Sequence, residues 1–358
     1  MNIAFYITGH GFGHAARSIE IIRSLSQSCT DIKFYLRTSV PEWFFEDSLK
    51  DKAVYDYHKE VVDIGVVQKD ALHLDKRRTL ETFSQFWDSR EKLIYAEVKD
   101  LSVKNIDLVI SDIAPVAFLI AKKLNVPSIA ISNFTWSYIY KDYVKKHVEY
   151  SFLINEINSA YSNASFALRY PFHGDFSCFK VVYDIGLVGR KSEKDKNEIL
   201  NALGINSDKK IILIAFGGFD VDSDFIKKMN LSSDYYIIDA QTSKRISQNA
   251  GNLTLPDLVS IASAVVTKPG YGIVSECILA KTPMLYTSRG HFAEYGKLVR
   301  GMKKYIPVCF IPQKVLFAGN IKPYLQKLFS EKPKKVSLST NGIVEARERI
   351  LKCLKNTY

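Results

Sequence analysis

Ile3-Ala4-Phe5-Tyr6-Ile7-Thr8-Gly9-His10-Gly11-Phe12-Gly13-His14-Ala15-Ala16-Arg17-Ser18-Ile19-Glu20-Ile21-Ile22 opens the chain with two apolar runs separated by a glycine turn. Ile3 to Ile7 is β-branched and aromatic, the composition of a strand, and it ends at Gly9, Gly11 and Gly13. From Ala15 the apolar residues recur at helical spacing, so the stretch reads as strand, tight turn and helix N-terminus. Glycines let backbone amides approach a ligand, and a helix N-terminus favours negative charge. His10 and His14, interleaved with the glycines, put titratable groups at the mouth of an α/β sheet. Gly11, Gly13, His10 and His14 are the first candidate site residues. The plainer alternative is a glycine turn whose histidines only cap a helix.

The turn is not the G-x-G-x-x-G dinucleotide fingerprint, because His14 takes the third glycine position. No acidic residue closing the second strand stands out either, so a nicotinamide site is not expected.

At 358 residues the chain is long enough for two α/β domains. A hydrophobic content of 47% and a charged content of 24% are those of a soluble globular protein. No signal-peptide pattern and no bilayer-spanning apolar stretch is seen. Cys29, Cys178, Cys277, Cys309 and Cys353 show no paired spacing, so neither a zinc site nor a disulfide framework is expected, and a reducing cytoplasm fits. The formal charge of +11 attracts anions without choosing among them. Lys145-Lys146 and Lys332-Lys334-Lys335 lack the stacking aromatics of an RNA-binding module, so nucleic acid is not the expected partner. Weak peripheral association with an acidic membrane surface stays open beside the plainer reading of a solvated basic face.

Strand–helix alternation continues along the chain, which argues for parallel sheets with right-handed crossovers. Ile32 to Leu36 reads as a second strand, Lys76 to Leu101 as helical, and Leu108-Val109-Ile110-Ser111-Asp112 as a buried strand stopping at a carboxylate. Asp112 therefore joins His14 and His10 as a candidate catalytic residue. After the strand at 128–132, the aromatic segment 133–140 reads either as packing or as an acceptor-binding wall. The charged stretch from Gly189 to Lys196 is the best domain boundary. The expected organisation is a first Rossmann-like domain over 1–188, a second over 189–340, and a helix over 341–358 that packs back on the first.

The second half repeats the opening device. An apolar strand from Lys210 to Phe216 runs into Gly217-Gly218, and a strand ending at Lys268 runs into Pro269-Gly270-Tyr271-Gly272-Ile273-Val274-Ser275-Glu276. Glycine amides at a helix N-terminus suit a diphosphate. Glu276, one turn into that helix, can accept two hydrogen bonds from a ribose diol, or it can simply stabilise the helix dipole. Asp220-Val221-Asp222 has metal-ligand spacing, but it sits in an apparent loop, and no metal site is assigned to it.

These motifs resemble those of GT-B glycosyltransferases. The closest likeness is to the glycosyltransferase-like N-terminal half of plant L-arabinokinases, and a more distant one is to the peptidoglycan N-acetylglucosaminyltransferase. The likeness runs through the Y-x-T-G-H-G-F-G-H opening, 67–72, 111–117, 132–136, Phe216-Gly217-Gly218 and 270–276. It implies two Rossmann-like domains facing a cleft. It also implies transfer of a sugar from a nucleotide diphosphate sugar, UDP-linked by analogy, to an acceptor hydroxyl that the sequence does not name; a nucleotide-sugar epimerase or hydrolase of the same fold, or a non-catalytic nucleotide-sugar-binding module, are the alternatives, because fold does not fix reaction. His14 matches the histidine of the N-terminal turn, and Glu276 the ribose-binding glutamate. The segment from His291 to Tyr295 matches the donor-sugar loop, with Glu294-Tyr295 where many members have Asp-Gln or Gln-Gln. The implied donor site comprises Gly11, Gly13, Gly217, Gly218, Lys268, Gly270, Tyr271, Gly272, Ser275, Glu276, His291 and Glu294. Inverting, metal-independent chemistry without a cofactor is expected. Sugar kinase activity is not, because no G-x-x-x-x-G-K-[ST] loop occurs.

Overall fold

The computed structural model describes residues 1–68, 73–206, 208–216, 228–229, 231, 234–240, 253–288, 290, 292–332 and 336–355. The chain divides into two compact units. One comprises Met1–Val188, Phe292–Lys297 and Ser339–Tyr358, and the other Gly189–His291 and Leu298–Leu338.

The described strands of the first unit are β1 (Asn2–Ile7), β2 (Lys33–Thr38), β3 (Val54–Lys59), β4 (Leu108–Asp112), β5 (Ser128–Ser132), β6 (Phe166–Arg169) and β7 (Val182–Asp184). They form one parallel sheet in the order β3-β2-β1-β4-β5-β6-β7. A parallel sheet is covered on both faces, so its inner strands are continuous apolar runs. Ile3 to Ile7 are all fully buried, and β4 and β5 are buried throughout. Edge strand β3 carries Asp56 and His58 among half-exposed tyrosines, as an edge allows.

Register decides what meets at the carboxyl ends. Ile7 lies opposite Asp112, and Ser111 lies opposite Ala130. The turn after β1, the end of β4 and the end of β5 are therefore neighbours, at the point where the strand order reverses. Helix α1 (Gly13–Ser28) leaves the first of these turns, and the C-terminal helix Gly342–Lys355 packs against it, with Arg347 Nη1 3.5 Å from Ser24 Oγ.

The helical stretch expected over 76–101 is two helices, Lys76–Asp88 and Arg90–Ser102. Ser89 interrupts them, its hydroxyl bonding back to the Phe86 carbonyl at 2.9 Å. The aromatic segment after β5 supplies packing. Trp136, Ile139 and Tyr140 are fully buried in a cluster with Phe83, Trp87, Phe118 and Tyr161.

The second unit has described strands β8 (Lys210–Ala215), β9 (Tyr235–Asp239), β10 (Ala264–Thr267), β11 (Met284–Tyr286) and β12 (Val308–Phe310). They are parallel, in the order β12-β11-β10-β8-β9. Ala215 and Thr267 are opposite one another, so β8 and β10 end together, and the Thr267 hydroxyl donates to the Ala215 carbonyl at 2.5 Å. Among the described residues no helix is long and apolar enough to cross a membrane.

Candidate functional site

Backbone geometry sets the first turn. Gly11 has φ +72°, a left-handed conformation that costs side-chain-bearing residues about 1–2 kcal/mol. It swings the chain from β1 into α1, whose first turn has neither a side-chain cap nor an acidic residue. Gly11 and Gly13 are exposed there, so the first-turn amides lack an internal partner by the geometry of any helix start.

His14, in that first turn, faces the end of β4. Its Nδ1 lies 2.8 Å from Asp112 Oδ1, and both residues are buried. Its ring meets Phe134 edge-on, with centroids 5.5 Å apart. Nε2 has no protein partner among the described residues.

Arg17, one helical turn further along α1, was not singled out from sequence. Its Nε donates to Asp112 Oδ2 and its Nη2 to Oδ1, both at 2.5 Å. Nη2 also lies 2.9 Å from His14 Nδ1 and 3.1 Å from Ser132 Oγ, while Nη1 donates to Asn133 Oδ1 at 2.9 Å. The signal was available, since positions three apart share a helix face. Burial by itself would raise the Asp112 carboxyl, but the Arg17 guanidinium and then His14 overcome it and hold the group below the usual carboxylate range.

Asn133 carries the network onward, its Nδ2 donating to Glu294 Oε1 at 2.7 Å. Glu294 is buried and belongs, with the segment Phe292–Lys297, to the first unit rather than to the second unit that flanks it in sequence. Tyr138 Oη reaches the Ala293 carbonyl at 3.3 Å, and Phe292 packs near Phe134. His291, the start of the expected donor-sugar loop, lies outside the described residues.

His10 stands to one side of this chain of bonds. It presses on Gly65, where an added Cβ would come within 2.6 Å of the His10 Cβ, and its Nε2 is 3.4 Å from Gln68 Nε2. Residues 69–72, part of the likeness seen in sequence, lie outside the described residues.

Asp63 is a second buried carboxyl that sequence reading missed, because it sits in an irregular stretch after β3. Its Oδ2 accepts from Thr8 Oγ1 at 2.5 Å and Trp136 Nε1 at 2.8 Å, while Oδ1 is buried without a hydrogen bond. Burial pushes its pKa up against the lowering effect of the Thr8 and Trp136 bonds.

In the second unit, Gly270 is the N-cap of helix Tyr271–Ala280 and takes an extended conformation, with φ −133° and ψ 157°. Gly272 and Ser275 lie at its start, and Ser275 Oγ donates to the Gly272 carbonyl at 2.8 Å. Tyr271 and Lys268 are buried beside them. Glu276 Oε1 accepts from Arg190 Nε at 2.8 Å and Nη2 at 2.7 Å. Glu276 is the sixth residue of the helix, and dipole effects fade beyond the first turn, so the Arg190 pair replaces the dipole as its plain structural role. Gly217, Gly218 and the Asp220-Val221-Asp222 triplet lie outside the described residues. Among the described residues, His58, Glu60 and Glu97 bring ligand atoms within 4.8 Å of one another, but Glu97 already takes the Arg37 Nε donor at 3.1 Å and the Tyr6 hydroxyl.

No family model matches the chain. It is 29% identical to L-arabinokinase of Arabidopsis thaliana over 338 residues, which is 92% of this chain and 32% of that protein. The chain thus spans about a third of the relative's length. Among solved structures it is similar to Phytolacca americana UGT2 complexed with UDP-2fluoro-glucose and pterostilbene, at TM-score 0.60 and 12% identity over 99% of this chain and 94% of that one. It is also similar to the glycosyltransferase VinC in complex with DTDP, at 0.56 and 12% over 99% and 95%. The glycosyltransferase SnogD from Streptomyces nogalater gives 0.56 and 12% over 100% and 96%. At such identities the likeness carries the fold, and the fold is GT-B, with two Rossmann-like units.

Proposed function

We propose that this GT-B chain is a glycosyltransferase that moves a sugar from a nucleotide diphosphate sugar, UDP-linked, to an acceptor hydroxyl, with inversion and without metal. The observation that carries the reading is His14: its Nδ1 is on Asp112, its Nε2 has no protein partner among the described residues, and it stands where the strand order reverses. Ligands of doubly wound sheets bind outside the carboxyl ends of the strands at this point.

In the proposed mechanism His14 Nε2 takes the proton of the acceptor hydroxyl as its oxygen attacks the anomeric carbon. The bond to the diphosphate breaks on the opposite face. Asp112, kept ionised by Arg17, supports the imidazolium through Nδ1. Base catalysis of this kind supplies ~10²–10⁴-fold, and the rest of the acceleration falls to positioning and charge stabilisation. The first-turn amides of helix Tyr271–Ala280, with Gly270 and Gly272 giving close approach and Lys268 nearby, are proposed to meet the diphosphate. Glu276 is assigned to the ribose hydroxyls, sharing its carboxylate with Arg190. Glu294, through Oε2, is assigned to the donor sugar.

The neighbours solved with UDP-2fluoro-glucose and with DTDP support the donor class, and the similarity to L-arabinokinase supports sugar chemistry. A thermal-shift screen of nucleotide sugars tests the proposal, because ligand at a hundred times Kd stabilises by ~2.7 kcal/mol. A stabilising donor is then incubated with candidate acceptors and the products analysed. No shift with any UDP- or dTDP-sugar contradicts the reading.

A further inference from the structure

The buried polar groups around His14 outnumber what a histidine–carboxylate pair needs, and the excess converges on Arg17. We propose that Arg17 is the positioning residue of this site, gripping both Asp112 oxygens so that His14 is held with its proton on Nδ1 and with Nε2 bare. The inference rests on the reading of His14 as the base.

The donor count assigns the tautomer. Asp112 takes one Arg17 N–H on each oxygen, and His14 Nδ1 lies 2.8 Å from Oδ1. An unprotonated Nδ1 would set its lone pair against an anionic oxygen at that distance, so Nδ1 donates. The 2.9 Å approach of Arg17 Nη2 to Nδ1 then follows from two donors converging on one oxygen, and the second Nη2 proton has Ser132 Oγ at 3.1 Å. Nε2 is left as the lone-pair nitrogen.

Only a planar fork serves here. Nε and Nη2 bridge the two carboxylate oxygens in parallel while Nη1 reaches Asn133, and the guanidinium carbon lies 5.0 Å from the centroid of the Tyr170 ring. Arg17 also orients the next residue outward. With Oδ1 of Asn133 accepting from Arg17, its Nδ2 must face Glu294. One side chain thus fixes the rotamer of Asp112, the tautomer of His14 and the amide sense of Asn133.

The groups facing His14 are Asp112 from β4, Arg17 from α1, Asp63 from the stretch after β3, and the Phe134 ring edge.

Side-chain ¹⁵N NMR of the full chain with labelled histidine, with His14 assigned by His14→Gln, reads this without substrate. At pH 8 the wild-type imidazole shows one tautomer, protonated on Nδ1. Arg17→Gln gives a tautomer mixture, because Asp112 is no longer bridged and held against Nδ1. Arg17→Lys also loosens the tautomer, because a point charge cannot bridge both oxygens. A wild-type ring protonated on Nε2, or an Arg17→Gln spectrum identical to wild type, overturns the proposal. If Arg17→Gln does not fold, the wild-type tautomer and Arg17→Lys still decide. No sugar enters these measurements, so a negative result here leaves sugar transfer standing, and failure of sugar transfer leaves this assignment standing.

Discussion

Asp63→Asn exchanges one atom, and the structure fixes the sign of its effect. The Asn carbonyl oxygen can occupy the Oδ2 position and keep both donors, Thr8 Oγ1 and Trp136 Nε1. The amide nitrogen then takes the place of Oδ1, which is buried without a hydrogen bond. What disappears is a negative charge that burial disfavours, the cause of the raised Asp63 pKa. A group whose folded pKa is raised contributes stability that is fully present below its unfolded pKa. That stability is lost as pH rises through the folded value. The variant escapes this loss, so its advantage is absent in acid, appears as pH climbs through the folded pKa, and is then constant. The amide nitrogen is itself unpaired at that position, so the gain comes from the lost charge alone, about 1.4 kcal/mol at neutral pH for each unit by which burial raises the pKa. For a unit of this size each kcal/mol is worth about 2–4 °C in Tm. Thermal unfolding of wild type and variant from pH 4 to pH 8 measures the effect. A variant less stable than wild type at pH 8, or a difference that does not vary with pH, refutes the reasoning.

Three further outcomes follow from single side chains. Trp136→Ala empties a fully buried site and should cost ~3–5 kcal/mol of stability, read by denaturant unfolding; a change in acceptor affinity with stability intact would favour the wall reading of segment 133–140. Gly65→Ala forces a residue at φ +66° and drives a methyl into His10, so destabilisation beyond ~1 kcal/mol and a moved His10 NMR signal are expected. Glu276→Ala should weaken nucleotide-sugar binding by roughly 1–3 kcal/mol in calorimetry, and unchanged affinity would leave Glu276 as the partner of Arg190 alone.

The sheets were legible because inner parallel strands are written as apolar runs, and the turns because glycine clusters follow them. Thus β1, β4, β5, β8 and β10 were all expected near their observed places. Edge strand β3 and the short strands β6 and β7 were not, since half-exposed edges carry no such run. His14 and Asp112 each stood out at the end of a strand, and register brings them together. Arg17, Asn133 and Asp63 were hidden for a different reason. A buried polar residue is defined by its partners, and, apart from His14 beside Arg17, those partners lie 55 to 161 residues away in the chain. The role of Arg190 at Glu276 was hidden in the same way, 86 residues off.

The central claim is that His14 is the base of a sugar transfer, and donor affinity measured beside turnover tests it most directly. With a UDP-sugar found by the thermal-shift screen and an acceptor that it glycosylates, His14→Ala should bind the donor like wild type. It should transfer sugar ~10²–10⁴-fold more slowly. Equal turnover would contradict the account, and equal turnover per bound donor with weakened binding would make His14 a phosphate contact instead of the base.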